Sequence, residues 1–348
     1  MDFCTMGLFI IDDIEFPPPK PKVTNVLGGA GTYSALGARL FAQPPRSRAV
    51  GWIVDAGSDF PLELRETIAS WDTGVLIRET PQRLTTRSWN GYGEHEHRAF
   101  RYLTPKLRLD HRDLIGTPLL WSKSFHLICH PLRCIDLVEN ILALRNQSAH
   151  TGAKPPRPLF IWEPVPDLCT PGELQNTLKA LRSVDVVSPN HSELGALFGK
   201  DTNGPHHVDY RLIEQLCDQW LASGIGENGK GAVVVRAGKD GCFVKRAGLQ
   251  RWLPAYHQSA DSVIDPTGGG NGFLGGLAMG LVRAGAAPGL DNLEEAAIWG
   301  SVSASFAIEQ IGAPVLSHGS QGEETWNKAG VADRVVAFKQ RLQTYVQP

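Results

Sequence analysis

Residues 265–273 read DPTGGGNGF. An Asp-Pro-Thr turn leads into three glycines, Gly268 to Gly270, then Asn271, then a run from Phe273 with apolar residues at helical spacing. Glycine permits positive φ and close approach of a ligand to the backbone. Ahead of a helix, such a loop offers N–H groups at a positive end, which suits an anion such as phosphate. Moving a phosphoryl group to a hydroxyl usually calls for a carboxylate that takes the proton. Asn271 presents an amide instead, and an amide does not accept a proton near neutral pH. The loop lacks the Gly-Lys-Ser/Thr ending of a Walker A loop, and its late position argues against a dinucleotide fingerprint.

The chain that must position this loop has 348 residues, 42% of them hydrophobic and 20% charged. That composition fits a globular α/β protein. With a formal net charge of −2 there is no basic excess, so nucleic acid is not expected as a partner. The six cysteines, at 4, 129, 134, 169, 217 and 242, form no CxxC pair and read as free thiols in a reducing compartment. The first residues, MDFCTMGLFIIDDIEF, lack a basic segment and reach acids by residue 12, so no secretory signal is expected. No apolar run approaches 18 residues. The expectation is a cytoplasmic protein without a membrane partner.

GLFIIDDI (7–14) reads as a buried parallel strand. LGGAGTYSALGARLFA (27–42) opens with glycines and continues as a helix. SRAVGWIVDAGSDF (47–60), SFHLICH (124–130) and PLFIWEP (158–164) are further strand segments. RLTTRSWNGYGEHEHRAFRYL (83–103) has the aromatic and threonine content of a hairpin. VDVVSPNHSELGALFG (184–199) is strand, turn and helix, with Asn190 and Glu193 spaced as a capping box. GAVVVRAGKDGCFVK (231–245) is a hairpin, and 290–314 reads as one long helix ending at Gly312 and Pro314. In the loop itself, Pro266 reads as ending a preceding strand. Strands alternating with helix-length segments predict a doubly wound, mostly parallel sheet.

In order along the chain, these segments resemble the ribokinase-like (PfkB-type) carbohydrate kinases. DPTGGGNGFLGG is similar to the family's D-T-x-G-A-G-D-x-F-x-G-G, matching at Asp265, Thr267, Gly268, Gly270, Phe273, Gly275 and Gly276. GLFIIDDI, GGAGTYSALGARL, VVSPNHSE, VVVRAGKDG and SVSASFAIEQIGA resemble its other motifs, so the resemblance spans about 5–345. A divergent fungal branch, the maintenance-of-killer type, is similar in carrying G-G-G-N at this loop. The resemblance implies one domain over 1–348: a doubly wound, mostly parallel sheet flanked by helices, with a small β lid from about 12–25 and 83–103. It implies transfer of the γ-phosphoryl of ATP to a hydroxyl of a sugar, nucleoside or related small molecule. Gly268, Gly269 and Gly270 would form the anion hole, and Asn190 and Glu193 would organise Mg²⁺ through water. Arg236, Gly238 and Gly241 would line the triphosphate, and Ser301 would reach the nucleobase. Asp265 corresponds to the acid near a monovalent-cation site, K⁺ in many members. Asp12, Gly28 and Gly29 would face the acceptor, and paired lids would make a homodimer.

Three departures stand out. Asn271 replaces the base aspartate, Tyr33 replaces the asparagine that holds sugar hydroxyls, and Arg236 replaces a threonine. Three readings stay open. In the first, the chain is a specialised kinase with Asp12, Glu163, His95 or His97 as base. In the second, it is a catalytically impaired pseudokinase that binds nucleotide or metabolite as a sensor or scaffold. In the third, the glycines are only a turn. Tyr33 is either a stacking face for a planar acceptor or core. Lid aromatics Trp89, Tyr92 and Phe100 either exclude water or pack a dimer, and Arg98 or Arg101 either reads a substrate charge or is solvated. The pair at 95 and 97 in HEH lacks a third ligand and reads as exposed.

Overall fold

The computed structural model describes residues 1–92, 98–149, 155–320 and 322–348, with the side chains of Tyr92 and Arg98 outside the description. In chain order the strands are β1 (Phe3–Thr5), β2 (Ile10–Glu15), β3 (Val23–Gly28), β4 (Val50–Gly57), β5 (Gly74–Thr80), β6 (Arg87–Tyr92), β7 (Arg98–Tyr102), β8 (Ser124–Cys129), β9 (Leu159–Pro164), β10 (Val186–Val187), β11 (Ala232–Arg236), β12 (Cys242–Arg246), β13 (Leu249–Leu253), β14 (Leu316–His318) and β15 (Glu324–Trp326). The α-helices are α1 (Ala30–Arg39), α2 (Leu62–Ser70), α3 (Pro131–Gln147), α4 (Leu174–Leu181), α5 (His191–Leu197), α6 (Tyr210–Ser223), α7 (Gly269–Arg283), α8 (Leu293–Ala307) and α9 (Val331–Leu342).

Among the described residues the central sheet runs β13-β12-β11-β10-β9-β8-β1-β4-β5. Every neighbouring pair from β11 to β5 is parallel, while β12 and β13 join antiparallel. Parallel strands covered on both faces need near-continuous apolar runs, as AVVV in β11 and FHLI in β8 provide. Residues of α1, α7, α8 and α9 fill the core on one face, and those of α3, α4, α5 and α6 fill it on the other.

The segment 7–14 differs from its reading as a strand of the parallel core. The central sheet begins earlier, at Phe3–Thr5, and Ile10–Glu15 enters a second sheet of order β3-β2-β6-β7. There β2 pairs antiparallel with β3 and parallel with β6. The run is apolar because Ile10, Ile11 and Ile14 are all buried, from both faces of this small sheet, so its composition matches a core strand. The hairpin expected near 83–103 is the antiparallel pair of β6 and β7.

Two more boundaries differ. No strand precedes Pro266 directly, since β13 ends at Leu253. Helix α8 ends at Ala307 rather than at Gly312, because the Gln310 amide donates to the carbonyls of Phe306 (2.9 Å), Ala307 (3.1 Å) and Gly312 (3.3 Å). That side-chain cap satisfies carbonyls that a longer helix would have paired. The carbonyl of Ile308 then accepts from Ile264 N (2.8 Å) and Asp265 N (3.2 Å), which ties the glycine loop to the end of α8.

Helix α7 is wedged between α1 and α8 with little room for side chains. A Cβ at Gly275 would collide with the backbone of Ser34 and Ala38, so only glycine lets α1 approach this closely. At the far end of α1, Arg39 is fully buried and pairs with Glu324 through two nitrogens (2.6 and 2.9 Å). It also donates to the carbonyls of Trp71 (2.6 Å) and Ala42 (2.9 Å). Removing one partner of such a pair strands a buried charge. Glu324→Ala is therefore expected to lower unfolding free energy by about 3–5 kcal/mol. Urea unfolding followed by far-UV circular dichroism checks this, and a loss below about 1 kcal/mol contradicts the account.

Candidate active site

The glycine loop turns at Gly268, whose φ of 81° lies in the left-handed region. The Tyr33 ring is packed over it, leaving no space for a Cβ. Tyr33 is buried at 3% exposure, so the ring walls the loop from the α1 side. Helix α7 starts at Gly269, which places Gly270 and Asn271 in its first turn. Backbone N–H groups there have no partner within the helix. Asp265 is buried and its Oδ1 accepts from Thr267 N (2.9 Å), bracing the turn from its first residue.

Behind the loop stands a buried polar chain. Asn271 Nδ2 donates to Glu163 Oε2 at 2.6 Å. The same oxygen is 3.3 Å from His126 Nε2, and His126 Nδ1 is 3.0 Å from Thr5 Oγ1. An ionised carboxylate can only accept, so Nε2 carries the hydrogen of that contact. Gly7 N donates to that hydroxyl oxygen at 3.0 Å. Glu163 Oε1 pairs with Arg236 Nη2 at 2.8 Å.

Arg236 ends β11, and the same nitrogen donates to Ser188 O at 3.0 Å and approaches Glu193 Oε2 to 3.6 Å. A Cβ at Gly270 would collide with Arg236 Nη1, so the guanidinium lies directly against the start of α7. Arg236 Nε is buried without a hydrogen-bond partner. Glu193 and Asn190 form the capping box of α5: Glu193 accepts from Asn190 N (2.7 Å) and Nδ2 (2.7 Å), and Asn190 Oδ1 accepts from Glu193 N (2.7 Å).

One cation serves two carboxylates unequally. Burial pushes the Glu163 carboxyl up, but the Arg236 charge and the His126 hydrogen bond outweigh it and hold the carboxyl below its ordinary value. Burial also pushes Glu193 up, and there the more distant guanidinium does not compensate, so its carboxyl stays above the ordinary value. The guanidinium is therefore chiefly the partner of Glu163.

In front of the loop opens a cavity of about 610 Å³, within the range of small-molecule sites. The predicted residues Gly269, Gly270, Arg236, Gly238, Gly241 and Ser301 all line it, together with Tyr256 and His257. Gly268, Asn190, Glu193 and Asn271 are not among its lining residues. The candidate acceptor residues cluster elsewhere: buried Asp12 accepts from the Ser88 hydroxyl and packs on Gly28, while Gly29 is the N-cap of α1 with φ of 87°. Arg101 lies over the Trp89 ring (4.8 Å), and Trp89 Nε1 donates to Glu15 (2.8 Å). His95 and His97 lie outside the described residues, as does the side chain of Arg98.

His126, Thr5 and Ser188 carried no motif. The one signal was a histidine in the middle of an otherwise apolar strand, SFHLICH. His257 and Tyr256 come from a segment without periodicity, and only folding brings them to the cavity.

The side chains here form no direct protein cage for Mg²⁺. Both Glu193 oxygens are engaged by Asn190, and a guanidinium stands beside them and Glu163. Among the described residues no group of three or more His, Cys, Asp or Glu could hold a metal ion.

The model of the pfkB family carbohydrate kinases matches residues 163–317, from Glu163 across the glycine loop to β14. The chain is 35% identical over 348 residues to Protein MAK32 of Saccharomyces cerevisiae, covering 95% of this chain and 90% of that one. It is 33% identical over 359 residues to an uncharacterized protein of Schizosaccharomyces pombe, covering 99% and 94%. The chain belongs to the PfkB family, in a divergent fungal branch. Its PfkB fold is also that of ribokinase from Giardia lamblia, with a TM-score of 0.68, 16% identity, and coverage of 98% and 99%. An E. coli chain described as a ribokinase II, in complex with ATP and Mg²⁺, superposes with a TM-score of 0.65 at 16% identity over 98% and 99%. No helix among the described residues is long and apolar enough to cross a membrane.

Two outcomes test this geometry. Asn271→Asp sets a carboxylate 2.6 Å from Glu163, where two like charges repel. A stability loss of about 1–3 kcal/mol at neutral pH is expected, recovered in Asn271→Asp/Glu163→Gln; equal melting of wild type and the single variant contradicts the pairing. Second, Glu309 supports the cavity wall, with His257 at 3.0 Å and Arg334 at 2.6 Å. Burial raises its carboxyl, but hydrogen bonds from His257, Arg334 and Asn327 prevail and bring it from 4.5 to about 2. A folded value below the unfolded one gives stability that is present above 4.5 and drains as pH falls toward 2. In Glu309→Gln the denaturation midpoint should fall less steeply across that window than in wild type.

Proposed function

We propose that the protein binds ATP in the cavity between α7, α8, the β11–β12 turn and residues 255–263, and that its phosphoryl transfer to an acceptor hydroxyl is impaired. The single observation that carries this reading is the hydrogen bond from Asn271 Nδ2 to Glu163 Oε2. The amide at the base position is turned away from proton acceptance, and the carboxylate behind it already accepts from Asn271, His126 and Arg236. Its carboxyl is held below the ordinary value, which weakens it further as a base.

Nucleotide binding is supported by the cavity, by Ser301 and Gly238 on its wall, and by the glycine turn at its end. The related fold solved with ATP and Mg²⁺ supports the same ligand class. An acceptor, a sugar, nucleoside or related alcohol, would enter from Asp12 and Gly28. Asp265 already braces the turn and would be the acid beside any bound K⁺. Six free, buried cysteines favour a reducing compartment such as the cytoplasm.

One observation favours an active kinase as the second reading: a carboxylate, Glu163, persists one hydrogen bond from position 271. Thermal shift with ATP followed by phosphoryl transfer to a sugar and nucleoside panel separates the two. The expected result is stabilisation by ATP with transfer about 10²–10⁴-fold slower than in Asn271→Asp/Glu163→Gln. Wild-type transfer as fast as that of the double variant, abolished by Glu163→Gln, establishes the second reading instead.

A further inference from the structure

The phosphate end of the cavity contains a cation that belongs to the chain. Arg236 lies against Gly270 at the positive end of α7, a place that repels a guanidinium unless anions surround it. Glu163 at 2.8 Å and Glu193 at 3.6 Å are those anions. A hydrated Mg²⁺ demands near-ideal octahedral oxygen ligands. Here it would share Glu193 with Asn190 and stand beside a fixed positive charge.

The guanidinium still has donors to offer. Its described bonds and ion pairs run through Nη2. Nη1 lies against Gly270 and carries none of them, and Arg236 lines the cavity beside Gly269 and Gly270. A planar fork with remaining donors matches a phosphate in bidentate geometry. We infer that Arg236 takes the place of the divalent cation, so that the site binds a nucleoside polyphosphate in its metal-free form. The phosphate would be held between the guanidinium fork and the backbone N–H groups of the α7 start. Glu163 is then the residue that fixes the fork, and Glu193 keeps to its capping role in α5. This inference rests on the nucleotide reading of the cavity.

The experiment is calorimetric titration of the full chain with ATP, once in EDTA and once in excess Mg²⁺. Affinity in EDTA should equal or exceed that in Mg²⁺. In Arg236→Ala/Glu163→Gln, chosen so that the nearer carboxylate is not left unpaired, affinity in EDTA should fall about 10–100-fold, the worth of a charge-assisted contact. Thermal melting verifies that this variant folds, and Arg236→Lys, which keeps the charge without the fork, should fall between the two. Binding by wild type only in Mg²⁺ overturns the inference and leaves the nucleotide reading standing. Failure to bind in either condition overturns both. Because wild type alone decides, an unstable variant does not blunt the test.

Discussion

Glu163 is a carboxylate buried at the end of a central parallel strand, and the surrounding polar structure depends on keeping it ionised there. An isolated charge in that position is costly, so it must be paired and hydrogen-bonded. Arg236 supplies the charge, His126 and Asn271 supply hydrogen bonds, and Thr5 orients the histidine. These residues come from β1, β8, β9, β11 and α7. One buried charge thereby couples the middle of the sheet to the helix that presents the glycine loop.

This coupling gives the amide at 271 a physical reason. A carboxylate there would face Glu163 across a hydrogen-bond distance, and the one guanidinium could not neutralise both, having Glu193 close by as well. Asn271 and Arg236 thus belong to one charge balance around Glu163, an amide on one oxygen and a guanidinium on the other. The glycine at 270 belongs to the same arrangement, since any side chain there would occupy the guanidinium's place.

The loop itself is held by packing rather than by charge. Close approach of α1 to α7 at Gly275 fixes where the helix begins, and the Tyr33 ring over Gly268 fixes how the chain turns into it. The end of α8 completes the frame, with the carbonyl of Ile308 holding the backbone of Ile264 and Asp265. The open side of this frame is the cavity, whose far wall is carried by His257 on Glu309.

The parallel sheet, the α5 capping box, the β11–β12 hairpin and the glycine loop were legible in the sequence, because each depends on local spacing, turn chemistry or periodicity. The sequence also showed that the residue at 271 is an amide. It did not separate the sheet of β1 from that of β2, since a buried face looks apolar in either one, and it extended α8 past the point where Gln310 caps it. Which side chains surround Glu163 is set by the tertiary structure alone. Asn271, Glu163, Arg236 and His126 are far apart in sequence, and no local pattern links them. Their meeting depends on the order of strands in the sheet, and at that meeting the physics is set by burial: in a low-dielectric interior, one carboxylate, one guanidinium and one amide must satisfy each other.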